Sequence, residues 1–124
     1  MTRIEDLRRE RCVACRQDAE PLIGEELDEL LLMVPNWELR TVNGVPRLVR
    51  RFPVDGWAAA MRLTDRIGAL AQAEDHHPVI RTEWGAVTVS WWTHVIRNLH
   101  RNDILMATRT DALAEIQRRG SGTR

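Results

Sequence analysis

Residues 75–94 read DHHPVIRTEWGAVTVSWWTH. Val79–Glu83 and Ala86–Trp92 are rich in β-branched and aromatic residues, and Trp84-Gly85 separates them, so the stretch predicts a β-hairpin. Pro78 opens it at the first strand position, where a missing N–H is tolerated. In an antiparallel hairpin, residues equidistant from the turn face each other, with Cα atoms roughly 4.5–5.5 Å apart. A turn centred on Gly85 places His94 opposite His76. A turn centred half a residue earlier places it opposite Asp75. Neighbouring side chains such as His76 and His77 point in different directions, so that pair alone makes no site. His94 supplies what is missing, and the open end of the hairpin collects imidazoles. Imidazole both gives and takes protons near neutral pH. The pattern predicts a proton-transfer site.

Working outward, Leu27, Leu30, Leu31 and Val34 keep the i, i+3, i+4, i+7 spacing of one helix face from Glu25 onward. Glu25 and Glu26 suit the positive end of the helix dipole, and Pro35 stops the helix. Strands are expected at Trp37–Val42 and Arg47–Phe52, joined by Asn43-Gly44, a dipeptide that tolerates positive φ. A second helix runs from Gly56 to Ala73, with Ala60, Leu63, Ile67, Leu70 and Ala71 as its apolar stripe. It delivers the histidine pair. After a loop at Val95–Arg101, a third helix spans Asp103 to Arg118 and buries Leu105, Ala112, Leu113 and Ile116, with Asn102 as its N-cap. Residues 1–20 are charged and aperiodic, an arm or a short frayed helix. Residues 21–119 form one domain, and 120–124 a disordered tail. The expected fold is α+β: a four-stranded antiparallel sheet from two hairpins, with helices packed on one face in the order α-β-β-α-β-β-α.

The chain has 124 residues, enough for a single core. Eighteen basic and eighteen acidic residues cancel, so no net charge draws it to nucleic acid or to an anionic membrane. All the basic residues are arginine, which rules out a lysine base or Schiff-base lysine. No window approaches the roughly 18 apolar residues of a membrane span. Met1-Thr2-Arg3-Ile4-Glu5-Asp6 lacks the apolar core of a signal peptide, so a cytoplasmic location is expected, with Cys12 and Cys15 reduced.

His76-His77-Pro78, five residues to Trp84, nine to His94 and eight to Asp103 together resemble the signature of the pterin-4a-carbinolamine dehydratases. Pro35-Asn36-Trp37, Arg51-Phe52-Pro53, Trp91-Trp92-Thr93-His94 and Leu99-His100-Arg101-Asn102-Asp103 extend the resemblance over nearly the whole chain. The cysteine-bearing arm resembles the bacterial branch. One position departs: Gln72 stands where the family usually carries a charged residue, so no role is carried over there. The resemblance implies removal of water from a 4a-hydroxytetrahydropterin to give the quinonoid dihydropterin. That chemistry fits imidazoles, since hydroxide leaves poorly unless protonated and a ring nitrogen must lose a proton. The reaction involves no redox change, so no cofactor is required. By matching position, His76 and His94 are the acid–base pair, and His77 positions substrate and shares in proton transfer. Asp75, Thr93 and Asp103 border the pterin.

Asp103 has a second role open to it, as an acid at the positive end of a helix. Trp37, Trp84, Trp91 and Trp92 are expected mainly in sheet and core packing, and His100 in solvent. Cys12-Val13-Ala14-Cys15 suggests zinc, but a structural zinc needs four ligands and the chain has no second cysteine pair, so no metal is assigned. The pterin substrate is the expected partner, with homo-oligomerisation to a dimer or tetramer through open sheet edges. A non-catalytic dimerisation or protein-binding module of the same fold is the alternative.

Overall fold

The computed structural model describes residues 3–13 and 18–122, with side chains to residue 120. Its elements are α1 (Ile4–Arg9), α2 (Gly24–Leu31), β1 (Glu38–Val42), β2 (Val45–Pro53), α3 (Trp57–Glu74), β3 (Val79–Glu83), β4 (Ala86–Trp91), a 3-10 turn (His94–Ile96) and α4 (Arg101–Gly122). The strand order is β1-β2-β4-β3, antiparallel throughout. This is the expected α+β sheet of two hairpins.

Each hairpin is set by its turn. Asn43 and Gly44 take φ of 52° and 77°, both in the left-handed region that twists the turn to match its strands. Glu83 pairs with Ala86 and Val79 with Ser90, which centres the second turn between Trp84 and Gly85. Strand alternation then sorts the faces. Leu48, Phe52, Val87, Val89 and Trp91 point into a core completed by Ala60, Leu63 and Ile67 of α3 and Ile104, Leu105 and Met106 of α4. The register puts Arg47, Val49, Arg51, Arg81, Thr88 and Ser90 on the opposite face. Each large apolar side chain buried this way contributes about 1.5–3 kcal/mol.

Several boundaries differ from the sequence reading, each for a local reason. The charged N-terminal stretch is not simply a loose arm: α1 packs along α4 and buries Leu7 completely. One leucine in a charged run leaves no periodic trace. The last helix begins at Arg101 and continues to Gly122, so residues 120–122 are helical, not a disordered tail. Its buried face is the inferred one only in part: Leu105 is buried and Leu113 packs against the core. Residues 102–108 are buried on every side, between sheet, α1 and α3, whereas Ile116 is 65% exposed. A helix buried all round has no stripe to find. Trp84 sits at the hairpin tip, 77% exposed, not in packing. Trp37 is buried, edge-on to Phe52 with ring centroids 5.9 Å apart, and its indole N–H donates to Asp111.

Candidate active site

Three chain reversals build the site. The first ends α3. Asp75 takes a left-handed conformation with φ of 50°, its N–H donates to the Gln72 carbonyl at 3.3 Å, and the His76 N–H donates to Ala71 at 3.1 Å. These are the two bonds of a Schellman motif, which caps the last carbonyls of a helix. The turn sends His76 inward, to 3% exposure, and leaves Asp75 and His77 at the surface. The second reversal follows β4. Thr93 and Asn98 exchange backbone hydrogen bonds at 3.0 and 3.4 Å around the 3-10 turn, closing a loop that exposes His94.

The third reversal opens α4, and here the N-cap is His100, not Asn102. The His100 Nδ1 accepts the Asn102 N–H at 3.0 Å, while Asp103 Oδ2 accepts the His100 N–H at 2.9 Å. This is a reciprocal capping box with histidine as the cap. His100 is therefore half-buried rather than solvated. Burial pushes its pKa below the ordinary value, with the nearby His76 pushing the same way and the Asp103 carboxylate opposing. A neutral ring is also what an accepting Nδ1 needs.

The three segments meet at Asp103, which is fully buried. Its Oδ1 lies 2.7 Å from His76 Nε2, and its Oδ2 also accepts the Thr93 hydroxyl at 2.8 Å. A buried carboxylate is costly unless its lone pairs are filled; here three groups fill them. With Asp103 ionised, an acceptor only, the bridging proton belongs to His76 Nε2, which fixes the tautomer of the ring. Beneath it, Trp91 lies nearly parallel, 5.6 Å between centroids and 6° between planes. The Trp91 indole N–H is satisfied by Thr110 at 3.1 Å.

His94 is held differently, stacked on Trp92 at 4.3 Å and 13°. The Arg47 guanidinium lies 3.9 Å from the Trp92 ring centre, and Arg47 Nε is buried without a hydrogen-bond partner among the described residues. His77 Nε2 is 3.0 Å from the Gln72 side-chain oxygen, so the departing family position is occupied by a neutral partner for that ring.

Of the six residues picked out from sequence, His76, Thr93 and Asp103 thus converge on one carboxylate. Asp75, His77 and His94 stand at the surface around them. The hairpin register, extended, sets Asp75 opposite His94, the second of the two alternatives. The ladder itself stops at Val79 and Ser90, however, so turns rather than strand pairing place these groups. Sequence reading missed three supporting roles: His100 as cap, Trp91 beneath His76 and Trp92 beneath His94. For His100 a signal existed, the three-residue spacing to Asp103. Among the described residues no three His, Cys, Asp or Glu side chains gather to hold a metal; Cys15 lies outside them. A cavity of about 780 Å³ lies between α1, β2, α3 and α4 near Arg50, Phe52 and Asp111, and none of the histidines lines it. Burial pushes the Asp111 carboxyl up despite its bonds from Trp37 and Arg50.

Comparison with known proteins adds to this geometry. Residues 20–113 match the family model described as pterin 4 alpha carbinolamine dehydratase. The chain belongs to that family. It is 46% identical over 112 residues to the "Putative pterin-4-alpha-carbinolamine dehydratase" of Syntrophotalea carbinolica, covering 90% of this chain and 100% of the relative. A relative of the same name from Gloeobacter violaceus is 48% identical over 109 residues, 88% of this chain and 94% of its own. Among solved structures, the "transcriptional coactivator/pterin dehydratase" of Brucella melitensis superposes with a TM-score of 0.68 at 26% identity, over 77% of this chain and 99% of that one. A pterin dehydratase-like protein described as a RuBisCO assembly factor of the alpha-carboxysome shares the fold, with a TM-score of 0.52 at 24% identity over 62% of this chain and 89% of that one. The family model leaves the arm before residue 20 unmatched.

Proposed function

We propose that this dehydratase-family chain removes water from a 4a-hydroxytetrahydropterin by histidine acid–base catalysis, giving the quinonoid dihydropterin. The observation that carries the reading is the buried His76–Asp103 contact of 2.7 Å, in a chain of this family. A carboxylate that fixes one imidazole nitrogen makes the other the site of proton exchange. In the step itself the C4a–O bond breaks, the oxygen leaves as water with a proton from one imidazole, and a second imidazole takes the ring N–H proton as the C=N bond forms. His76 and His94 form the pair. His77, held by Gln72, positions the ring and shares in proton transfer, and Asp75 and Thr93 line its edge. Each imidazole contributes about 10²–10⁴ in rate.

The same proposal places the protein in the cytoplasm, recycling pterin after an aromatic amino acid hydroxylase, as a homodimer or homotetramer joined through sheet edges. No described helix is long and apolar enough to cross a membrane. The test is turnover of a 4a-hydroxytetrahydropterin generated in situ. His76→Ala and His94→Ala should each lower kcat by about 10²-fold or more with the fold retained. A wild-type rate no faster than buffer would favour instead a partner-binding role, of the kind that the coactivator half of the Brucella relative's name describes for that protein.

A further inference from the structure

Residues 10–13 precede the stretch that the family model matches, yet they are tied to the site from behind. The Cys12 N–H donates to Glu74 Oε1 at 2.9 Å, and Arg11 Nε to Glu74 Oε2 at 2.6 Å. One residue on, the Val13 backbone makes two bonds to the Asn102 side chain: its N–H donates to Oδ1 at 3.1 Å and its carbonyl accepts from Nδ2 at 2.8 Å. Arg101 grips Glu10 with both arms of its fork, at 2.8 and 2.9 Å. Four consecutive residues therefore bridge the end of α3 to the start of α4.

The anchor points matter more than their number. Glu74 precedes Asp75 and His76 through the Schellman turn, and Asn102 is the neighbour of Asp103. The Glu74 side chain is only 2% exposed, and Arg109 of α4 reaches it at 3.1 Å. Burial pushes this carboxyl up, but the Cys12 amide, Arg11 and Arg109 more than offset that and hold it below the ordinary range. Asn102 is itself buried. A buried carboxylate and a buried amide spent on the backbone and side chains of an arm are expensive unless the arm stays in place.

We propose that this N-terminal strap positions the acid–base machinery, with Glu74 and Asn102 as positioning residues that hold the two ends of the His76–Asp103 contact in register. Neither group touches the reacting atoms. They fix the relative placement of two turns that come from different helices. A misplacement of about 1 Å in catalytic geometry costs on the order of 10² in rate, so a small slackening of the bridge reads out in kcat.

The inference rests on the proposed reaction for its kinetic readout only. Histidine-selective ¹⁵N NMR reads the His76 Nε2–H directly and is independent of turnover. In full-length Asn102→Ala and Glu74→Gln that proton should exchange with solvent at least tenfold faster than in the wild type. kcat should fall about ten- to a hundredfold with KM within about threefold. Folded variants with an unchanged His76 signal and unchanged kcat overturn the strap. A wild type without turnover overturns the dehydratase reading instead, and leaves the NMR comparison standing. Should both variants fail to fold, the wild type under low denaturant decides. The strap predicts that the His76 proton opens together with the Cys12 and Val13 amides. A His76 proton still protected after those amides have exchanged refutes it.

Discussion

Asp103→Asn perturbs the site at its centre while keeping its shape. The carboxylate serves two donors at Oδ2, the Thr93 hydroxyl at 2.8 Å and the His100 N–H at 2.9 Å, and faces His76 Nε2 at 2.7 Å through Oδ1. Asparagine has one acceptor oxygen. Two donors claim it on the Thr93 side, which turns its NH₂ toward His76. Two N–H groups cannot face each other at that distance, so the imidazole must move its proton to Nδ1 and accept at Nε2. Each of the three charge-assisted bonds, worth about 1.5–3 kcal/mol, becomes a neutral one of about 0.5–1.5, and relief from burying a charge offsets much of that, leaving a net loss of about 1–2 kcal/mol. At roughly 2 cal/mol/K of unfolding entropy per residue over 124 residues, the thermal midpoint should drop by about 4–8 °C. Activity should suffer far more, because the ring presents the wrong nitrogen. The expected loss is about 10²–10⁴ in kcat, most of the value of an imidazole acid or base. Asp103→Ala is the contrast: it leaves all three partners unsatisfied and should cost about 3–5 kcal/mol, as breaking a buried pair does. Thermal melts, in-situ dehydration kinetics and the ¹⁵N shifts of His76 check the three parts. A folded Asp103→Asn protein that keeps kcat within about threefold and the original His76 tautomer would falsify the claim that this carboxylate sets the ring.

His100 gives a pH prediction with a definite sign. Its pKa is held below the ordinary 6.5 in the folded chain, so just below that pH the unfolded chain binds a proton that the native one refuses. The stability it supports is complete above pH 6.5 and is lost as pH falls from there through the folded value. His100→Asn keeps a good N-cap and cannot titrate; denaturant midpoints measured from pH 7.5 to 5 should fall less steeply in the variant, and parallel profiles would count against the assignment. In α4, Ile104→Ala should cost about 2–5 kcal/mol because Ile104 is fully buried. Ile116→Ala, further along the same helix on an exposed face, should stay within about 0.5 kcal/mol in the same urea titrations. Equal losses at the two positions would mean that the helix packs by a different face.

The parts of the fold that are legible in the sequence share one property, a pattern internal to a few neighbouring residues. Asn43-Gly44 and Trp84-Gly85 each specify a turn, and the turn fixes the register of the strands beside it. The stripe on α3 is visible because that helix has one wet side: Met61, Arg62 and Gln72 face solvent while Leu63, Ile67 and Ala71 do not. Leu7 and the first turns of α4 have no such contrast, and their spacing misleads. Their burial comes from segments far away in the chain, and nothing in the local spacing of residues 102–108 records that neighbours close in from every side. The site divides in the same way. The family resemblance singles out His76, Thr93, His94 and Asp103, and the structure brings His76 and Thr93 onto Asp103, but how each is held cannot be read from the sequence, because it is decided by three turns. A left-handed Asp75 buries His76, a closed loop at Thr93–Asn98 leaves His94 in solvent, and a cap formed by His100 directs Asp103 inward. The imidazoles consequently stand in unlike surroundings, one locked to a buried carboxylate and two held at the surface by Gln72 and by Trp92. The proposed dehydration, which gives a proton at one atom and takes one at another, would draw on that asymmetry.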